Sequence, residues 1–436
     1  MVTPRILTGF MELLPEDQIL FNRMMDTIRG VYEEFGFLPL DTPTIELSEV
    51  LLAKAGGETE KQIYRFQKGD HDLALRFDLT VPLARYVAQH ENDLVFPFKR
   101  YQMSKVFRGE RPQKGRFREF YQCDIDIIGI DSLPLYYDAE MPSVIYHVFK
   151  KLDFGPFTIR LNNRKVLNGF FSSLGLADQI ADVLRTIDKL DKIGEEKVRL
   201  ELGELGITEA QTDSIMSLIH IKGSTDEILA QVEALPVADE TFREGVSELK
   251  EVVSNMRLLG MPDENFEVDL TIARGLDYYT GTVYETRLDD YPQLGSVCSG
   301  GRYDNLTGFY TKTNMPGIGI SIGLTRLFSQ LKEAGILTGG SKTLIKALVV
   351  PMGPDQMAAA VQTAGAFRRA GISTDIYSLT KGMKQKMKYA SRIGVPYVIL
   401  IGEEEAAAGK VALKDMSSSE QKIISCEEAI QIVLSR

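Results

Sequence analysis

The side chains best suited to chemistry lie in residues 100–129, a stretch that we predict to form two strands joined by a basic turn. Strand alternation places polar residues on one face of this hairpin and apolar residues on the other. The polar face comprises Gln102, Ser104, Arg108, Glu110, Gln122, Asp124 and Asp126. A sheet face does not keep so many ionisable groups without partners, so we expect this face to bind a small polar ligand.

The turn itself is strongly cationic. Residues 111–118 contain Arg111, Lys114, Arg116 and Arg118 together with a proline and a glycine. An ordinary hairpin tip exposed to solvent accounts for such a turn as well as a binding surface does. Because the turn lies beside a face rich in carboxylates, we favour contact with a polyanion that must reach a small polar substrate.

Two further positions have side chains that point to ligand binding. Residues 73–77 predict a strand, and Thr80 is a predicted N-cap of a helix with Pro82 in its first turn, so Asp78 and Thr80 occupy a strand-to-helix corner. A simple capping pair is the alternative. The glycine-spaced strand 317–323 leads into a helix that places Arg326 in its first turn, where a cation opposes the helix dipole unless an anionic ligand offsets it.

Two glycine-containing segments complete the set of candidates. They are RGLDYYTG at residues 274–281 and SGGRYD at residues 299–304. Glycines beside charged and aromatic residues indicate close approach of the backbone to another group, although a tight loop with packed tyrosines explains the first segment equally well.

Composition restricts the class of protein. The chain has 436 residues, of which 44% are hydrophobic and 25% charged, and no apolar run approaches the roughly 20 residues that span a bilayer. The N-terminus also lacks a charged-then-apolar signal pattern, so we expect a globular cytoplasmic protein of two to four domains without a membrane partner. The net charge of −11 argues against a protein coated with nucleic acid but leaves room for local basic contacts.

Cysteine and histidine usage predicts neither a disulfide framework nor a metal site. The three cysteines, Cys123, Cys298 and Cys426, are far apart in the sequence, and the four histidines have no metal-ligand spacing.

The elements that must position these residues fall into four segments. We assign residues 1–164 and 261–336 to one interrupted domain, 165–260 to a helical insertion, and 344–436 to a small α/β domain with a mostly parallel sheet. The last domain carries a second basic patch on one helix and the preceding loop. Its members are Lys381, Lys384, Lys386, Lys388 and Arg392.

The motifs together resemble those of the histidyl-tRNA synthetases, a family of class II aminoacyl-tRNA synthetases. FRGE at 107–110 is similar to the second class II motif, residues 317–326 to the third, and the helix and strand that end at Pro43 to the first. RGLDYYTG and SGGRYD resemble the two motifs that single out the histidine enzymes. The resemblance covers nearly the whole chain. It implies an antiparallel-sheet core of α+β type, a helical insertion, a C-terminal α/β anticodon-binding domain and a homodimer formed through the first motif.

The resemblance also implies roles in binding ATP. Arg108 would contact the α-phosphate, Glu110 the adenine amino group and Arg326 the terminal phosphates, while Arg274 would contact the α-phosphate during attack. Arginine suits these roles because it offers planar, permanently charged donors. Magnesium would neutralise the remaining phosphate charge.

The implied partners are L-histidine and tRNA(His). By resemblance, Asp78, Thr80 and Gln122 bind the α-ammonium group, and Asp126 and Tyr279 bind the imidazole, whose two nitrogens require a donor and an acceptor. Tyr278 and Arg274 complete the histidine set. The acceptor end of the tRNA would meet Arg111, Gln113, Lys114 and Arg116. Asp124 lies on the same face without an assigned role.

The departures from the family pattern are small. Gly9 is followed by Glu12 and Pro15 where the family often has an aspartate, and Asp78 and Asp126 stand where some relatives have glutamate. Two other functions compete with this hypothesis. One is a regulatory subunit that assists a phosphoribosyltransferase, which the intact RGLDYYTG and the C-terminal domain disfavour. The other is a ligase that adenylates a small acid without tRNA, which the basic C-terminal helix disfavours.

Overall fold

The computed structural model describes residues 1–53, 57–111, 115–272, 279–337 and 341–435. The chain forms two compact units. One contains Met1–Met11 and Met24–Ile336, and the other contains Glu12–Arg23 and Leu337–Arg436.

The strands are numbered along the chain. They are β1 (Leu38–Pro39), β2 (Ile45–Leu47), β3 (Arg65–Lys68), β4 (His71–Leu75), β5 (Phe98–Phe107), β6 (Glu119–Ile128), β7 (Phe157–Asn163), β8 (Phe266–Val268), β9 (Thr282–Leu288), β10 (Cys298–Tyr303), β11 (Gly317–Ile322), β12 (Ala347–Pro351), β13 (Thr374–Ile376), β14 (Tyr397–Ile401), β15 (Lys410–Asp415) and β16 (Gln421–Ser425).

The α-helices follow the same convention. They are α1 (Pro15–Glu34), α2 (Ser48–Leu52), α3 (Gly57–Gln62), α4 (Thr80–Gln89), α5 (Tyr136–Leu152), α6 (Arg164–Ser173), α7 (Ile180–Ile187), α8 (Leu190–Ile193), α9 (Glu195–Glu204), α10 (Glu209–Ile219), α11 (Thr225–Glu233), α12 (Glu240–Leu258), α13 (Leu324–Glu333), α14 (Met357–Arg369), α15 (Met383–Ile393), α16 (Glu403–Ala407) and α17 (Cys426–Leu434).

An eight-stranded sheet dominates the first unit, with the strand order β1-β5-β6-β11-β10-β9-β7-β8. The predicted hairpin forms its β5–β6 pair, in which Gln102 faces Asp124 and Ser104 faces Gln122. β11 and β10 then pair antiparallel beside β6. The expected antiparallel core is confirmed, since every neighbouring pair from β5 to β7 is antiparallel.

The predicted run of short helices is present as α6 to α12, within the first unit. Side-chain caps begin several of them: Thr208 and Ser224 form capping boxes at α10 and α11, and Asp239 caps α12. Helices α6 and α12 pack closely because glycines lie at their crossing. A Cβ atom on Gly169 would lie 2.3 Å from the Phe242 nitrogen, and one on Gly245 would lie 2.6 Å from the Val166 nitrogen.

The second unit contains a five-stranded sheet with the order β13-β12-β14-β15-β16. β13, β12 and β14 are parallel, as expected. β15 and β16 pair antiparallel, so the prediction of a mostly parallel sheet is wrong for this half. Both faces of the sheet are covered by apolar side chains, which explains the continuous apolar runs of β12 and β14.

The basic patch predicted on α15 also needs correction. Lys386 is buried, and its Nζ donates hydrogen bonds to the carbonyl oxygens of Pro351 at 2.5 Å and Met352 at 3.3 Å. This lysine therefore fixes the end of β12 instead of contributing to a surface. The other four members of the patch are exposed.

Candidate active site

A cavity of about 520 Å³ opens on the face of the eight-stranded sheet. Most of the sequence-predicted site residues line it. These are Asp78, Thr80, Arg108, Glu110, Arg116, Gln122, Asp126, Tyr279 and Arg326, joined by Asp124. Arg111 is exposed and is not among the described lining residues. Gln113, Lys114, Arg274 and Tyr278 lie outside the described residues.

The floor of the cavity is formed by alternate residues of β6. We call Gln122, Asp124 and Asp126 the polar floor. Each is at most 8% exposed, although the cavity has access to solvent. Their common face follows from the strand period of two, which the sequence made visible.

Asp126 occupies one end of the polar floor and has two partners. Its Oδ2 lies 2.6 Å from the guanidinium of fully buried Arg100, and its Oδ1 accepts a hydrogen bond of 2.8 Å from the hydroxyl of Tyr303. Burial raises the pKa of Asp126 to about 6, although Arg100 and Tyr303 both favour the charged form. The arrangement fixes a carboxylate in one orientation at the end of the cavity.

The glycine-spaced strand β11 leaves space for this carboxylate. Gly319 pairs with Asp126 across the sheet, and a Cβ atom at position 319 would lie 2.1 Å from Asp126 Oδ1. A Cβ atom on Gly317 would lie 2.3 Å from the ring of Tyr303. The two glycines are therefore required by the packing of the site, and they do not form a nucleotide-binding loop.

At the other end of the polar floor, Ser321 connects two residues. Gln122 Nε2 donates a hydrogen bond of 2.7 Å to Ser321 Oγ, and Ser321 is the cross-strand partner of Asp124. Gln122 Oε1 and Asp124 Oδ1 are buried and have no hydrogen-bond partner among the residues that the structure describes. Burial raises the pKa of Asp124 to about 7, opposed by Arg100.

The corner at Asp78 and Thr80 differs from the prediction in one respect. α4 begins at Thr80, and its cap comes from Asp78, whose Oδ1 accepts a hydrogen bond of 2.9 Å from the Val81 nitrogen. Thr80 is therefore the first helical residue and not the N-cap. Burial raises the pKa of Asp78, against the backbone hydrogen bonds and the charge of Arg108.

Two cations also line the cavity. The Arg108 guanidinium lies 4.4 Å from the ring centroid of Phe77 and 5.1 Å from that of Phe120, and its Nε donates to the Phe77 carbonyl. Arg326 is exposed in the first turn of α13 and donates to the Leu294 carbonyl at 3.0 Å. These fixed, accessible guanidinium groups can bind phosphate oxygens.

Glu110 and Arg116 form an ion pair across the cationic turn. Arg116 lies 3.2 Å from Glu110 Oε2, with 56% of its side chain exposed against 21% for the glutamate. An exposed pair of this kind is weak, so either partner can turn to a ligand at little cost.

Sequence reasoning missed three residues that complete the site. Arg100 has the same strand parity as Gln102 and Ser104, so the alternation that identified the polar face also contained it. Tyr303 lies within SGGRYD, and Ser321 within the glycine-spaced strand. Their roles depend on which strands become neighbours, and no local pattern specifies that.

Within the described part of the chain, no group of three or more His, Cys, Asp or Glu side chains is arranged to hold a metal ion. The described helices also include none that is long and apolar enough to cross a membrane.

Comparison with known proteins gives a match over most of the chain. The model of the family described as histidyl-tRNA synthetase matches residues 9–327, and that of the anticodon binding domain matches residues 346–436. A histidine–tRNA ligase from Clostridium tetani is 59% identical over 433 residues, which cover 99% of this chain and 98% of that protein.

Solved structures agree with these matches. The crystal structure of histidyl-tRNA synthetase from Nostoc sp. PCC 7120 superposes with a TM-score of 0.92 at 44% identity and covers 100% of both chains. A structure from Bacillus halodurans, described as an ATP phosphoribosyltransferase regulatory subunit/histidyl-tRNA synthetase, gives a TM-score of 0.76 at 20% identity over 92% of this chain and 99% of that one. At 20% identity, the match to the Bacillus halodurans structure shows only that the two chains share a fold.

Proposed function

Because this chain belongs to the histidyl-tRNA synthetase family, we propose that the cavity on the eight-stranded sheet is where histidine and ATP react. The chain is an ATP-dependent histidine–tRNA ligase, which forms histidyl-adenylate and transfers the histidyl group to the 3' end of tRNA(His). The observation that carries the residue assignment is that one cavity brings the cations Arg108 and Arg326 together with the carboxylates Asp78 and Asp126.

ATP occupies the cationic side in this proposal. Arg108, held between Phe77 and Phe120, contacts the α-phosphate, and Arg326 contacts the terminal phosphates. Glu110 turns from Arg116 to accept a hydrogen bond from the adenine amino group. Arg274, outside the described residues, adds a contact to the α-phosphate as charge develops there.

Histidine lies along the polar floor. Its ammonium group, with three N–H donors, meets Asp78, Thr80 and Gln122, whose Oε1 is oriented by the bond from Nε2 to Ser321. Its imidazole meets Asp126, with Tyr279 as second partner and Tyr278 nearby in the sequence. Because Arg100 and Tyr303 hold Asp126 in place, the carboxylate is preorganised for a ring N–H.

The proposed roles support a two-step reaction. An oxygen of the histidine carboxylate attacks the α-phosphorus, the bond to the bridging oxygen breaks, and pyrophosphate leaves. Arg108 and Arg274 stabilise the negative charge that grows on the α-phosphate oxygens. The terminal tRNA hydroxyl then attacks the carbonyl carbon of the adenylate and AMP leaves.

Magnesium is proposed to enter with ATP. Mg²⁺ usually keeps several water ligands and binds substrate phosphates with one or two carboxylates. The described residues, which hold no cluster of three metal-ligand side chains, fit a metal bound mainly by phosphate and water. It would neutralise phosphate charge while the protein positions the reacting groups.

The tRNA is proposed to contact both units of the chain. Arg111 and Arg116 are exposed at the hairpin turn with Gln113 and Lys114 between them in the sequence, and this turn would meet the acceptor end. The domain from about residue 344 would bind the anticodon, where recognition targets unstacked bases. We retain residues 1–164 and 261–336 as the catalytic domain and 165–260 as its insertion.

A homodimer in the cytoplasm completes the proposal. β1 is the edge strand of the eight-stranded sheet, and both of its residues are exposed, with Leu38 at 60%. Ile45 and Leu47 are also exposed nearby in the sequence. An exposed apolar edge is a surface that a second subunit can cover.

Pyrophosphate exchange tests the proposal. The purified protein, incubated with labelled pyrophosphate, ATP and one amino acid at a time, should transfer label into ATP with histidine and not with the other amino acids. Exchange with a different amino acid, or none with histidine in a folded sample, would contradict the assignment. Charging of tRNA(His) in the same sample separates this function from that of a regulatory subunit or a ligase that does not use tRNA.

A further inference from the structure

The polar floor contains one residue that the proposed binding of histidine does not use. Asp124 lies between Gln122 and Asp126 on β6, lines the cavity and is 2% exposed. Its Oδ1 is buried without a hydrogen-bond partner among the described residues. A buried carboxylate without a full set of partners is destabilising, so its presence in a cavity points to a ligand that compensates the cost.

The charged groups around Asp124 indicate the charge of the ligand that binds beside it. The carboxylates of Asp78, Asp124 and Asp126 influence one another electrostatically across the cavity. Arg100 favours the charged form of each, but its close ion pair is with Asp126. Arg108 also offsets the charge of Asp78, so the negative charge that a ligand must neutralise lies chiefly at Asp124, and the group that binds beside it is a cation.

Strand pairing associates Asp124 with the Gln122 end of the polar floor. Ser321 accepts a hydrogen bond from Gln122 and faces Asp124 across the paired strands, and the acceptors without a partner among the described residues are Gln122 Oε1 and Asp124 Oδ1. An ammonium group has three N–H donors and no acceptor. Asp126, about 7 Å farther along the strand, has both oxygens engaged by Arg100 and Tyr303.

We propose that Asp124 is a direct acceptor for the α-ammonium group of histidine, together with Asp78 and Gln122. The inference rests on the proposed location of the histidine site. It makes Asp124 a residue that selects amino acids over imidazole compounds without an amino group.

Two ligands that differ in the ammonium group provide the test. Histidinol carries the ammonium and the imidazole, whereas 3-(imidazol-4-yl)propanoate carries the imidazole without the ammonium. Asp124→Asn keeps the shape of the side chain and removes its charge. Binding of both ligands to the full-length wild type and variant is measured by calorimetry.

We expect Asp124→Asn to weaken histidinol binding by about 10- to 100-fold, as for loss of a charged hydrogen bond. The affinity for imidazolylpropanoate should be unchanged or higher. Asp126→Asn is the matched control, since it lies on the same strand face and should weaken both ligands. Asp124→Ser, a smaller neutral variant, should reproduce the selective loss.

Equal losses for the two ligands in both Asp124 variants would overturn the inference, because they would indicate a role in cavity shape. Unchanged histidinol binding would overturn it as well. If the wild type failed to bind histidinol, or Asp126→Asn had no effect on either ligand, the location of the histidine site itself would be wrong.

Discussion

The hydroxyl of Tyr303 donates a hydrogen bond of 2.8 Å to Oδ1 of Asp126, across 177 residues of sequence. Both side chains are at most 2% exposed, so the bond fixes a carboxylate that solvent does not reorient. It connects the SGGRYD segment to the hairpin, two features that look independent in the sequence.

Tyr303→Phe should therefore impair recognition of histidine. Removing the hydroxyl leaves an oxygen of Asp126 without its donor, which costs about 1–3 kcal/mol. We expect the KM for histidine in pyrophosphate exchange to rise by roughly 5- to 150-fold and the KM for ATP to stay the same.

Tyr32→Phe is the matched control for this change. The Tyr32 hydroxyl donates to the backbone carbonyl of Cys123 at 3.0 Å, and Tyr32 is fully buried and not among the cavity-lining residues. Its loss should lower stability without changing the KM for histidine. Similar KM values in the two variants would show that the Tyr303 bond has no part in histidine binding.

Gly319→Ala tests whether β11 must remain without a side chain beside the site. The added methyl group would lie 2.1 Å from Asp126 Oδ1, so the carboxylate must move. We expect a loss of histidine-dependent exchange of at least about 100-fold, since displacement of a site group by 1 Å has effects of this size. Gly308→Ala is the control, because a Cβ atom there has no neighbour within 4 Å. Full activity in Gly319→Ala would show that the site tolerates the shift.

The pH dependence of stability should reveal the ionisation of Asp124. Because folding raises the pKa of this carboxyl to about 7, its contribution to stability is present at low pH and is lost as the pH rises from roughly 4 to 7. The charged neighbours are Arg100, Asp78 and Asp126.

Asp124→Asn cannot ionise at this position, so the variant should not lose this stability as the pH rises. Without ligands, the variant should be more stable than the wild type at pH 8, by on the order of a few kcal/mol, with the difference shrinking towards pH 4. Urea unfolding at several pH values measures it. A variant less stable than the wild type at pH 8 would contradict the assigned ionisation.

The pair Lys386 and Lys388 separates a structural lysine from a surface one. Lys386→Met removes the hydrogen bonds to the Pro351 and Met352 carbonyls and should destabilise the second unit by about 1–3 kcal/mol.

Lys388 is exposed, so the variant Lys388→Met should be as stable as the wild type. The second variant should instead bind tRNA more weakly, with a smaller dependence on salt. Thermal unfolding and tRNA titrations at two salt concentrations distinguish these outcomes, and equal unfolding temperatures would contradict the role of Lys386.

Local patterns explain which parts of the fold were predicted. The β5–β6 hairpin and its polar face follow from strand alternation, and α13 from a glycine-spaced strand followed by helical periodicity. The neighbours of Asp126 were not predictable, because Gly319 and Tyr303 reach it through strand pairing over long sequence separations.

The C-terminal errors have local causes. After β14 the chain forms the short helix α16 and then two successive strands, because a polar turn between β15 and β16, with Ser419 at φ 64°, forms an antiparallel hairpin. The charge of Lys386 predicts a surface position. Its spacing of three residues from Met383 and four from Ala390 is that of a core-facing helix position, so periodicity is the better guide here.

The strand order has a consequence for synthesis of the protein. β6 ends at Ile128, but its partner β11 begins at Gly317, so a growing chain carries β6 as an open sheet edge while the helices α6 to α12 are being made. The cavity that we propose to bind histidine is complete only after residue 322 of 436 has left the ribosome. A chain that ends before β11 exposes the edge beside Cys123, Ile125 and Ile127, so aggregation is its expected fate and its cavity stays incomplete.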